Sequence, residues 1–232
     1  MIVIKNAFLR SFLSKILPFL VIPAVVISGS FVFRDKSYSY VIMAVVVLTI
    51  VLFVSGFEKR KIGTRRLVLT AAFVALASIG RVICSPLPGV NPVTAITIFA
   101  AIYMGSETGF MVGAFSALIS NMFAGMGVWT PFQMFAWGLI GTFAGLFSKQ
   151  LINNKIKLCV YAFFAGIFYS LIMDIWTVIW AYNSFNLSAY LAAITTAVPY
   201  TAVYAISNCV FVYLLAKPFS EKLDRIKIKY GI

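Results

Sequence analysis

Histidine is absent from this 232-residue chain, and acidic residues number only six. The first absence removes histidine general acid–base catalysis, Ser-His-Asp and Cys-His nucleophile systems, and histidine-ligated metals. The second leaves little for carboxylate chemistry. Asp35, Glu58, Glu221 and Asp224 fall in polar loops or the tail, and no two acids share a helix face inside an apolar run. Cysteine is scarce and odd in number: Cys84, Cys159 and Cys209 stand apart in apolar contexts. They give neither a disulfide framework nor a metal spacing and read as buried small hydrophobes. No G-x-x-x-x-G-K-[ST] stretch occurs, so the chain does not itself hold ATP through a P-loop. These gaps argue against an enzyme, and no metal or cofactor is expected.

Apolar residues are what the chain has in excess. It is 62% hydrophobic and 11% charged, outside the range of soluble domains. Apolar runs of spanning length recur from end to end, and none shows the alternating ten-residue pattern of a β-barrel. The fold class is therefore an all-α polytopic membrane protein. The net charge of +13 is a matter of topology: sixteen of the nineteen basic residues fall on one side of the proposed spans, from Lys5 to Lys229. Arg34 and Lys36 lie in an opposite loop and Arg81 lies inside a span. By the positive-inside rule both termini are cytoplasmic, and the basic loops meet anionic lipid headgroups rather than nucleic acid.

Residues 1–66 read as an N-terminal transmembrane hairpin followed by a basic loop. Its first run, Ile16 to Phe33, is either a retained span or a signal peptide, with retention favoured because Ile27-Ser28-Gly29-Ser30 is a mediocre cleavage site. The second, Tyr38 to Gly56, is rich in Val and Ile, as a lipid-facing anchor would be. After the charge cluster Phe57 to Arg66, residues 67–232 hold six further spans, at roughly 67–84, 93–105, 108–124, 131–147, 158–181 and 191–216, and a basic tail. The total is eight. The span at 93–105 is short, the connection around Met104 to Glu107 is tight, and Pro199 is placed to kink the last helix.

The tightest patterning lies between Tyr103 and Phe147. Gly105, Gly109, Gly113, Ala117 and Asn121 recur every fourth residue, which on a helix is one stripe of small side chains ending in an amide. Such stripes let helices approach closely in lipid. After the Gly125-to-Pro131 turn, a second small-residue helix carries Gln133, Trp137, Gly138, Gly141 and Gly145. Ala71 and Ala75 on the first core span form a shorter small-residue pair on which a separate membrane subunit can lie flat.

Polar groups inside the membrane are costly and are functional candidates by default. Arg81 and Asp174 both fall in the outer half, where they either pair with each other or hold a ligand; Arg81 can also snorkel to the surface. Asn91, Asn121, Gln133 and Asn208 offer amides, for a ligand or for interhelical hydrogen bonds. Trp129, Trp137, Trp180 and Tyr200 gather near the same end. Interfacial belts account for Trp180, whereas Trp129 and Trp137 suit the wall of a pocket where a flat ring stacks. The residues alone also leave open a membrane scaffold or assembly protein, and a lipid-modifying enzyme built on Asp174 and Glu107.

Over residues 67–216 the chain resembles the substrate-binding S components of energy-coupling factor (ECF) vitamin transporters. The resemblance rests on six spans, Ala71 and Ala75 in the first, the run Gly105-Ser106-Glu107-Thr108-Gly109 to Gly113-Ala114, and Trp129-Thr130-Pro131-Phe132-Gln133-Met134-Phe135-Ala136-Trp137-Gly138 with Gly141 to Gly145. It implies a bacterial or archaeal membrane protein that binds a vitamin near the outer face. It implies docking onto a transmembrane coupling subunit with two ATPases, with the first three core spans at the interface and Ala71 and Ala75 on the first of them. The extra hairpin departs from the six-span pattern. The Trp-Thr-Pro-Phe-Gln run looks most like cobalamin-associated subgroups, and the same residues also suit riboflavin or another small vitamin.

Overall fold

The structure, a computed structural model, describes residues 12, 15–32, 38–55, 64–152, 154–182 and 184–230. Described residues are helical apart from short connections. A π-helical turn, Leu17–Val21, leads into α1 (Ile22–Val32), and α2 (Tyr38–Ser55) follows. The core comprises α3 (Thr64–Cys84), α4 (Val93–Met104), α5 (Ser106–Ala124), α6 (Thr130–Leu146), the single turn α7 (Ser148–Leu151), α8 (Lys155–Tyr182) and α9 (Leu187–Tyr230). The six long core helices occupy the ranges expected of the six core spans, except that α9 runs on into the tail. Lys5, Arg10, the Arg34-Asp35-Lys36 turn and the Lys59-to-Lys61 cluster lie outside the described residues.

Three helical stretches among the described residues are long and apolar enough to cross a membrane: Arg65–Cys84, Lys155–Tyr182 and Leu187–Leu223. The expected count of eight goes beyond these. The helix α4 has only 12 residues, roughly 18 Å at 1.5 Å per residue, and is short of a bilayer core. In α5 and α6 the glycines, serines, threonines and amides that shape the interior dilute the apolar run.

Two backbone breaks set the core's geometry. Gly105 separates α4 from α5 at φ 97, so the four-residue row of small residues starts one turn later than its sequence spacing suggests. Gly125 ends α5 at φ 106. A residue with a Cβ is strained at such positive φ values, so glycine permits both reversals. Between them α5 and α6 form the most closely packed antiparallel pair. A Cβ on Gly109 would lie 2.7 Å from the carbonyl oxygen of Gly141, and one on Gly145 would lie 2.5 Å from the Ser106 backbone. A Cβ on Gly113 would collide with the backbone at Trp137 and Gly138. The stripe faces α6 along its length, backbone against backbone.

The N-terminal hairpin packs against α5 and α6 rather than standing apart as an anchor. Ile22 and Val26 of α1, and Val41, Val45 and Thr49 of α2, are buried, and Phe19 meets Phe143 with ring centroids 5.5 Å apart. Met43, Val47 and Val51 face outward. A run apolar on every side carries no polar face to show which stripe turns inward, so its sequence suggests a lipid-facing surface throughout. At the other flank, α8 and α9 cross closely where Gly166 sits on the backbone of Ala205. Pro199 and Pro218 both lie inside the continuous α9.

Gly113→Val tests the seam. The branched side chain has no space against the Trp137–Gly138 backbone, and overpacking of this kind costs about 1–3 kcal/mol. A lower midpoint of thermal unfolding in detergent is expected; an unchanged midpoint contradicts the close approach.

Candidate binding site

Glycine brings α5 and α6 together, and side chains at one end of that seam turn inward to form a polar cluster. Asn121, at the end of the small-residue row, donates from Nδ2 to Thr130 Oγ1 (3.0 Å) and to Gln133 Oε1 (2.8 Å). Gln133 Oε1 also accepts from Arg81 Nη2 at 3.4 Å, while Gln133 Nε2 donates to the Tyr169 hydroxyl at 3.0 Å. Arg81 Nη1 donates to Ser120 Oγ at 2.7 Å. The guanidinium carbon lies 4.9 Å from the centroid of the Trp137 ring. Four helices, α3, α5, α6 and α8, thus meet through one glutamine.

A second layer lies one turn deeper along α6. Trp137 is fully buried; its Nε1 donates to the Tyr204 hydroxyl (2.9 Å) and to Thr94 Oγ1 (3.2 Å), and those two oxygens are 2.6 Å apart. Its ring stacks on Tyr169 with centroids 4.7 Å apart and planes 22° apart. Tyr204 in turn stacks on Tyr200 at 6.3 Å. Cation–π attraction is strengthened where water is scarce, so the Trp137 face is a favourable place for a guanidinium that lacks a carboxylate. Among the described residues Arg81 makes no ion pair, and its protein partners are neutral oxygens and a ring.

Above this cluster opens a cavity of about 290 Å³. Arg81, Gln133, Tyr169 and Tyr200 line it, together with the α3–α4 loop from Ser85 to Asn91 and with Phe123 and Ala124 at the end of α5. That loop is held in three places. Asn91 Oδ1 accepts from Val93 N at 2.9 Å, starting α4; the Pro92 ring packs on Gly80; and Ser207 of α9 donates to the Gly89 carbonyl at 3.1 Å. Gly89 itself sits at φ 78, a conformation that favours glycine.

Of the residues singled out from sequence, Arg81, Asn91, Gln133 and Tyr200 therefore share one hollow. Asn121 and Trp137 support it from beneath without lining it. Trp129 and Trp180 belong to a separate aromatic run: Trp129 packs edge-on to Trp176 (5.9 Å), which stacks on the exposed Trp180 (6.1 Å). Asp174 lies outside the hollow near Tyr190 and does not pair with Arg81, so the ion-pair alternative is not realised. Asn208 is buried in the α8–α9 crossing beside Gly166, with neither amide atom hydrogen-bonded. Ala71 and Ala75 are exposed on the face of α3 that no other described element covers.

Sequence reasoning missed Thr94, Ser120, Tyr169 and Tyr204. For Tyr204 a signal existed: Tyr200, Tyr204 and Asn208 are spaced by four and share a helix face. Thr94, Ser120 and Tyr169 are ordinary residues for a membrane helix, and only the fold distinguishes them.

Gln133→Leu removes partners from Arg81, Asn121 and Tyr169 at once. A buried group left unsatisfied costs about 1–3 kcal/mol, so a clear drop in thermal stability is expected. The exposed Trp180→Ala should change stability by no more than about 0.5 kcal/mol. Equal effects of the two substitutions in a thermal-shift measurement would contradict the central place given to Gln133.

The comparisons with known proteins agree with this architecture. The family described as "ECF-type riboflavin transporter, S component" matches residues 61–222, most of the chain and all six long core helices. No curated protein and no solved structure matches significantly. The match begins just before α3 and leaves the N-terminal hairpin outside it. A match over this share of the chain, alongside a seam of glycines with a polar hollow at one end, places the chain in the family of ECF-type transporter S components, the vitamin-binding subunits of membrane importers.

Proposed function

We propose that the chain captures a flat-ringed vitamin of the riboflavin type in the hollow between α3, the α3–α4 loop, α6, α8 and α9. The observation that carries this reading is the chemistry of the walls. Arg81, Gln133 and Asn91 offer hydrogen bonds to a ring's carbonyl and nitrogen edge, and Tyr169 and Tyr200 offer apolar faces beside them. A ring system with such an edge gives the Arg81 guanidinium the acceptors that the protein supplies sparingly. The name of the matched family points the same way.

The cobalamin preference drawn from the Trp-Thr-Pro-Phe-Gln run gains nothing from the family match. A hollow of about 290 Å³ lies near the lower edge of the roughly 300–1,000 Å³ usual for small-ligand pockets, a size that favours a ligand smaller than a corrinoid. Members of this family work with an ECF module, a transmembrane coupling subunit and ATPases, which accords with the lack of a P-loop here. On our reading the uncovered face of α3 at Ala71 and Ala75 meets that coupling subunit, since small side chains allow close helix approach. The cavity then opens outward, with the basic loops and both termini on the cytoplasmic side.

Titration of the purified chain with riboflavin, followed by quenching of flavin fluorescence, tests the reading. One molecule per chain is expected, with no comparable binding of cobalamin. Binding of cobalamin and not riboflavin, or of neither, overturns it. Arg81→Gln and Tyr200→Ala should each weaken riboflavin binding about tenfold or more, at least ~1.4 kcal/mol. Ala75→Trp should leave binding intact and prevent co-purification with a co-expressed ECF module; if the substituted chain still assembles, α3 is removed from the interface.

A further inference from the structure

A second cavity, of about 140 Å³, lies at the opposite end of the bundle, where α4 ends, α7 turns and α8 begins. Its floor is apolar: Phe99, Ile102, Leu158 and Ala216 are all buried. Its rim is cationic, with Lys155 at the start of α8 and Lys217 in α9 beside the Ser220 hydroxyl. Lys155 is drawn toward α9, its Nζ 6.0 Å from the ring centroid of Tyr213, one turn before Lys217. Neither lysine makes an ion pair among the described residues; Glu221, one turn beyond Lys217, is not engaged with it.

Two cationic side chains bordering one apolar hollow favour a ligand whose negative group lies near both. A ligand that satisfies rim and floor together has a negative head and a hydrocarbon stem. Basic pockets between helices at the membrane surface hold the headgroups of anionic lipids for this reason. We propose that this cavity is a binding site for one anionic phospholipid. Its phosphate sits between Lys155 and Lys217 and accepts from Ser220, and its first acyl methylenes lie on Phe99 and Ile102. A lipid seated there contacts α4, α8 and α9 together.

The test uses the full chain, delipidated in detergent and offered short-chain phosphatidylglycerol, phosphatidylcholine of the same chain length, or inorganic phosphate, with native mass spectrometry as the readout. The expected result is one phosphatidylglycerol per chain, with phosphatidylcholine retained far less. K155Q/K217Q should weaken retention about tenfold, while K155R/K217R, which keeps both charges, and K149Q, outside the cavity, should retain the lipid. Three results overturn the proposal: K155Q/K217Q retaining lipid as well as the unaltered chain, phosphatidylcholine held equally, or inorganic phosphate displacing the lipid at equal concentration. The last identifies a free anion as the occupant.

Discussion

Close approach of α5 and α6 is the constraint on which the rest of the molecule depends. In lipid, helix association draws on van der Waals contact and interhelical hydrogen bonds rather than on release of water, so distance matters more than apolar area. Gly109, Gly113, Gly141 and Gly145 remove side chains from the seam. The backbones meet, and the larger residues of the same helices are displaced to the flanks. Gln133 and Trp137 consequently project from α6 toward α3, α8 and α9, and Asn121 reaches Gln133 across the seam. With a bulkier seam the interhelical gap would exceed the reach of these bonds.

Arg81 shows how such a bundle accommodates a charge without a counter-charge. An ionised side chain within a membrane is costly, and the usual remedy is an acid close by. The chain has a candidate in Asp174 and does not use it. Instead the guanidinium rests over Trp137 and donates to Ser120 and Gln133, which satisfy part of its fork and leave it facing the hollow. An arginine already neutralised by a carboxylate would have little attraction left for a ligand. The protein thereby keeps unspent binding capacity at the spot where the cavity opens.

Much of this was legible in the chain and some was not, for physical reasons. Apolar runs located the six core helices, because a backbone in lipid must satisfy its own hydrogen bonds, although only three of the six are long and apolar enough to cross a membrane. Glycine spacing announced the α5–α6 seam, since period four is a helix face. Scarcity exposed Arg81 and Gln133, polar groups that a lipid-bathed segment rarely carries. Abundance hid Tyr169, Tyr204 and Thr94, whose residue types occur throughout the chain. Depth was also unreadable: Trp137 stood out as a ring suited to stacking, yet it lies a layer below the cavity, bonded through its indole nitrogen to Thr94 and Tyr204. The inward stripe of the N-terminal hairpin could not be seen in a run without a polar face.

The loop from Ser85 to Asn91 carries two prolines, is moored at its far end by the Asn91 turn, and is latched midway by Ser207 to Gly89. Two fixed proline φ angles and two hydrogen bonds limit the conformations open to it. Its latch belongs to α9, the helix that also presents Tyr200 and Tyr204. α9 therefore holds both the roof and one wall of the hollow, so the width of its opening depends on the placement of one long helix.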